Sequence, residues 1–152
     1  MFQNARILLK MNYFCVLIYK FRKLERKIIS TAAILGMIAI ILGAFGAHKL
    51  KEVLSVEALN AFETGVKYQM YHAIFLLFVG GSNLIIEKVK KNIFYLVLTG
   101  VLFFSGSIYL LATRELTGID FKMIGIVTPI GGLLLILAWL VLFINILKKR
   151  VY

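Results

Sequence analysis

IISTAAILGMIAIILGAFGA, residues 28–47, decides the fold. It carries no charged side chain. About 20 apolar residues is also the length an α-helix needs to cross a hydrocarbon core of about 30 Å. Three runs of the same kind follow, at about 66–86, 93–112 and 123–147. Polar segments separate them: 48–65, then EKVKKN at 87–92, then TRELTGIDFK at 113–122.

The whole chain is 61% apolar and 16% charged. A soluble domain is about half apolar and a quarter charged. Four such runs in water would leave almost no amphipathic helix to cover them. The predicted fold is therefore all-α, an integral membrane four-helix bundle. Short loops make neighbouring helices antiparallel in an up-and-down topology. Residues 1–27 read as a basic N-terminal extension, 28–147 as the four-helix transmembrane domain and 148–152 as a basic tail. Ser55 is a fair N-cap for a short helix running into the second span.

Positive charges orient the spans. The extension carries Arg6, Lys10, Lys20, Arg22, Lys23, Arg26 and Lys27, the 87–92 loop three lysines, and the tail Lys148, Lys149 and Arg150. Those thirteen face five on the other side: Lys49, Lys51, Lys67, Arg114 and Lys122. The richer side is cytoplasmic, so both termini are expected there. A net charge of +11 would suggest nucleic acid in a soluble protein. Beside membrane spans it reads as topology and contact with anionic lipid, and no nucleic-acid partner is expected. Ile7, Met11, Phe14, Ile18 and Phe21 recur with steps of four and three. A helix lying on the membrane surface fits that face. A disordered tail and an upstream extension of the true start are the other readings.

Small residues mark where helices meet, because lipid is as apolar as leucine and association relies on close packing. Ala32, Gly36, Ala39, Gly43 and Gly46 form one stripe on the first span. Thr99, Gly106 and Thr113 form a heptad stripe on the third, and the fourth carries Gly125, Thr128 and Gly132. Pro129 predicts a bend in the fourth helix.

The polar residues of the spans gather in the outer half. Gly65, Gln69 and His72 share one face of the second helix. His48, Tyr68, Ser105, Ser107, Tyr109 and Thr128 lie at matching depth, and a buried polar side chain in lipid needs a partner. A hydrogen-bonded cluster is expected there, with inner halves of plain Leu, Ile, Val and Phe. The cluster is either interhelical glue or a ligand site formed by His48, Tyr68, Gln69, His72, Ser105, Tyr109 and Thr128.

No catalytic motif and no cofactor signature appears. One cysteine, Cys15, excludes an intramolecular disulfide. Two histidines without an HxxH or HxxxH pair give no metal site.

Four segments together carry a resemblance: GAFGAHKL at 43–50, FETGVKYQMYHA at 62–73, FSGSIYLLA at 104–112 and GIVTPIGG at 125–132. They resemble the YgdD/YwdK-like family of small bacterial inner-membrane proteins of unknown function, over about residues 30–147. The resemblance implies about four membrane helices and a multi-pass protein of the bacterial cytoplasmic (inner) membrane. It implies no activity. Residues 1–27 depart from the pattern.

The expected function is non-enzymatic: binding of a small ligand, a lipid or a membrane-protein partner by the outer-half cluster. Membrane lipids are the expected partners, with a homo-oligomer as another. One alternative is an oligomeric transporter or channel component that titrates His48 and His72. Another is an enzyme acting on lipid headgroups, with His72 as general base.

Overall fold

The structure is a computed structural model. It describes the backbone of residues 2–118 and 122–149 and the side chains of 23–114, 116, 118 and 124–148. All regular elements among the described residues are helical. Helix α1 spans Phe2–His48, α2 Val56–Gly81, α3 Glu87–Ala112, the four-residue α4 Arg114–Thr117, and α5 Val127–Lys149. Single 3-10 turns cover Leu50–Glu52 and Lys122–Ile126.

Three segments are long and apolar enough to cross a membrane: Lys23–Glu52, Glu87–Ala112 and Ile124–Lys148. Helix α2 is not among them, although the sequence predicts four spans. It has 26 residues, but Glu57, Glu63, Lys67, Gln69 and His72 lower its hydropathy.

Helix boundaries follow local chemistry. The Ala58 N–H donates to Ser55 Oγ at 3.2 Å, so α2 starts ten residues before the predicted span. It stops at Gly80–Gly81, where Ser82 turns extended and its N–H caps the Phe78 carbonyl. The apolar residues after the glycine pair form a connection rather than helix, and Ile85 folds back into the core. Pro129 lies in the first turn of α5, where its missing N–H has no helical partner to lose. The mid-helix bend predicted there is replaced by a passage from 3-10 to α-helix.

Packing runs in chain order: α1 on α2, α2 on α3, α3 on α5. Among the described residues, no Cα of α5 comes within 8 Å of α1 or α2. The contact that would close a ring of four helices is therefore missing. A stacked ring pair, Phe75 and Trp139 at 4.1 Å, bridges α2 to α5. The core centres on Ile28, Leu76, Val79, Ile93, Phe94 and Val97, each 1% exposed or less.

Glycines set the helix spacing. A Cβ at Gly131 would lie 2.3 Å from the Phe104 backbone nitrogen, so α5 approaches the α3 main chain itself. A Cβ at Gly100 would meet Leu135 at 2.6 Å from the opposite side of that contact. The α1 stripe faces α2 at ordinary distances. Gly36 looks onto Ala73 at 3.8 Å, Gly43 onto Val66 at 3.5 Å and Gly46 onto the Phe62 ring at 3.4 Å. Gly132 faces the Phe104 ring at 3.6 Å.

Gly106 is different from the predicted seam residue. A Cβ there would touch only Leu102 of its own helix, at 3.9 Å. Thr99 of the same stripe is exposed and donates to its own helix, to the Tyr95 carbonyl at 2.7 Å. Neither residue makes a close helix contact, and Gly100 and Gly131 make it instead.

The predicted plain half of the spans is not plain. Lys90 is 4% exposed and pairs with Glu25 at 2.6 Å, with a second bond to the Gly80 carbonyl at 3.3 Å. Leu24 packs on the core and Lys27 lies over the Phe94 ring at 5.4 Å. Glu25 and Lys27, predicted as part of the extension, thus contact α3. The helical face at Ile7–Phe21 has its backbone within α1, and its side chains lie outside the described residues.

Candidate functional site

Gln69 joins three helices. Its Nε2 donates to the Leu35 carbonyl of α1 at 2.8 Å, and its Oε1 accepts from the Tyr109 hydroxyl of α3 at 3.1 Å. A carbonyl can only accept, so the Leu35 contact fixes which end of the amide is nitrogen. Gly65, one turn earlier on the same face, makes room for Tyr109. A Cβ at Gly65 would fall 2.8 Å from the Tyr109 ring. The Phe62 ring lies against the other side of Tyr109 with centroids 4.9 Å apart. The Gly65–Gln69 spacing of four thus positions one tyrosine and bonds it.

His72 is 5% exposed and faces inward with Gln69. Its Nδ1 lies 2.8 Å from the Tyr68 carbonyl one turn back, so Nδ1 carries the proton that is donated. The Tyr68 ring stacks on it at 6.3 Å, and Phe75 meets it edge-on at 6.2 Å. The Nε2 of His72 and the Oγ of Ser105, which is fully buried, have no hydrogen-bond partner among the described residues.

Ser107 and Thr128 form a separate polar pair, 2.7 Å apart, between α3 and the start of α5. Ser107 Oγ also donates to the Phe104 carbonyl at 2.9 Å, so the Thr128 hydroxyl supplies the hydrogen between them. Tyr68 stays 41% exposed and rests on Phe104 at 4.7 Å. His48 is exposed at the end of α1. The single predicted cluster is therefore divided. Gln69 and Tyr109 form one centre, Ser107 and Thr128 another, and no contact joins His48 to either among the described residues.

A groove of about 490 Å³ opens beside the first centre. Leu35, Ile38 and Leu42 of α1 line one wall, and Leu98, Leu102 and Gly106 of α3 line the other. Gln69 and Tyr109 are its polar lining residues. The space exists because Gly106 carries no side chain and because α1 and α3 barely touch, both packing on α2 instead.

A second cavity of about 280 Å³ sits beside Lys90 and includes Glu25, Asn83 and Glu87. Sequence reasoning counts Lys90 as a loop charge. The missed signal is its spacing: Lys90, Ile93 and Val97 step by three and four along the buried face of α3. Glu25, the one acid within residues 1–27, is the other half of that signal. Among the described residues no group of three or more His, Cys, Asp or Glu could hold a metal ion.

An all-helical chain with three segments fit to span a bilayer, and with its polar side chains turned between helices, is a multi-pass membrane protein in its class. More specifically, the chain belongs to the family described as protein of unknown function DUF423, whose model matches residues 42–132. A UPF0382 membrane protein of Staphylococcus saprophyticus is 40% identical, over 76% of this chain and 92% of its own length. The UPF0382 membrane protein YwdK of Bacillus subtilis is 32% identical over 76% and 92%. The UPF0382 inner membrane protein YgdD of Escherichia coli is 30% identical over 78% and 88%. No solved structure matches. The family resemblance read from the four sequence segments is correct, and with it the location in the bacterial cytoplasmic (inner) membrane. The matched region contains Gln69, His72, Tyr109 and the α3 wall of the groove, whereas Leu35 and Ile38 of the α1 wall and Glu25 lie before it.

Proposed function

We propose that the chain is a four-span, non-enzymatic membrane protein that holds a lipid in the groove between α1 and α3. The observation that carries this reading is the groove itself. Apolar walls converge on two hydrogen-bonding side chains, the usual make-up of a ligand site.

The proposed topology has α2 crossing with the other three long helices, all antiparallel, and both termini in the cytoplasm. Burial of Gln69 and His72 supports the crossing, because the polar face of α2 is turned to protein rather than lipid. Register supports the antiparallel course: Gly36, Gly43 and Gly46 meet Ala73, Val66 and Phe62, ascending on α1 while descending on α2. Lys90 is buried in its pair, so twelve basic residues rather than thirteen remain to orient the spans. Twelve against five still favours cytoplasmic termini.

Photolabelling tests the site. A phospholipid with a diazirine-bearing acyl chain, incorporated in nanodiscs with the full protein, is expected to label 35–42 and 98–106 above the outward face of α5. Equal labelling of Leu133, Ile136 and Leu140, which face away from α3, would sink the reading.

A further inference from the structure

The groove's hydrogen-bonding pattern narrows the lipid it takes, an inference that rests on the lipid-site reading above. The Gln69 amide has two N–H groups, and one is donated to Leu35. One remains. The Tyr109 oxygen gives its hydrogen to Gln69 and keeps lone pairs to accept with. The pair therefore retains one donor, on Gln69 Nε2, and one acceptor, on the Tyr109 oxygen, both on groove-lining residues.

A hydroxyl satisfies both at once, accepting from the amide and donating to the phenol oxygen. An ester carbonyl or a phosphodiester only accepts, and an ammonium only donates. Charge is disfavoured as well. No charged residue lines the groove among the described residues, and an unpaired charge among Leu35, Leu98 and Leu102 is costly. The hydrocarbon has a place to lie, because Gly106 leaves the α3 wall open.

We infer that the groove takes a neutral lipid with one free hydroxyl, of the diacylglycerol type. Its hydroxyl sits on Gln69 and Tyr109, and its chains run along α1 and α3.

Competition for photolabelling tests this with the full protein in phosphatidylcholine nanodiscs. Dioleoylglycerol bearing a diazirine is the label. Unlabelled dioleoylglycerol, its methyl ether and dioleoylphosphatidylglycerol are the competitors. Dioleoylglycerol is expected to displace the label about five- to tenfold better than the ether, the effect of one neutral hydrogen bond. Phosphatidylglycerol is expected to compete no better than the ether. Equal competition by hydroxyl and ether, or equal competition by phosphatidylglycerol, overturns the inference and leaves the groove standing. Gly106→Leu separates the two levels. Its added side chain has open space to enter and should abolish labelling at 98–106 with helical content unchanged. If that folded variant labels as the parent does, the groove reading falls too.

Discussion

Single residues divide into those that hold helices together and those that leave room between them. Gln69 holds. Replacing it with leucine removes two interhelical bonds and leaves the half-buried Tyr109 hydroxyl without its acceptor. Interhelical bonds in membranes are worth about 0.6–2 kcal/mol each. Gln69→Leu is therefore expected to lower the thermal midpoint in detergent by several degrees, and His48→Ala, at an exposed helix end, to leave it in place. The glycines give a sharper contrast. Gly131→Ala forces its methyl into the α3 main chain and should cost about 1–3 kcal/mol or more. Gly106→Ala meets only a distant Leu102 and gains helix propensity, so its midpoint should hold or rise. Thermal melts of the two variants side by side check this. The sequence puts Gly65, Gln69 and His72 on one face because spacing alone fixes that. Which neighbour each meets depends on how the helices sit, and spacing does not carry that. The candidate residues divide between two helix contacts, and His48 joins neither among the described residues.

At the scale of elements, the Glu25–Lys90 pair ties α1 to the first turn of α3. The two partners are unequally buried: the Lys90 side chain is 4% exposed and that of Glu25 34%. Removing the acid strands a buried ammonium, whereas removing the base leaves a carboxylate that reaches solvent. Glu25→Gln is thus expected to destabilise more than Lys90→Met, toward about 3–5 kcal/mol for breaking a buried pair. The double variant should recover most of the loss. Unfolding of the three variants against the parent gives the coupling directly. The pair is not legible in the sequence, because a lysine between two apolar runs reads as a loop charge. Helix α3 begins at Glu87, before the predicted span, which draws Lys90 onto its buried face. Hydropathy likewise does not reveal where the α-helical bonding of α5 begins, so Pro129 reads as lying inside the helix rather than in its first turn.

For the whole molecule, hydropathy, charge bias and period made the class legible: all-helical, membrane-embedded, with its polar side chains concentrated. The missing contact between α1 and α5 was not legible, because small residues on several helices suit a closed ring and an open row equally well. The four-span topology makes its own prediction. In a Cys15→Ser background, Ser55→Cys should react with a membrane-impermeant maleimide in intact cells, and Lys88→Cys only after permeabilisation. Reaction of both from outside, or of neither, would show that α2 does not cross.

Chain-order packing also bears on how the protein is made. Every long helix after the first rests on one already synthesised: α2 on α1, α3 on α2 and α5 on α3. Such local contacts form early, since little chain must be closed before they act. The Leu35–Gln69 bond can form once α2 has emerged, and the α3 tyrosine then meets a glutamine already in place. Biogenesis would then resemble laying planks side by side, each fixed to the last, so the free edge of the final helix stays available to the membrane around it.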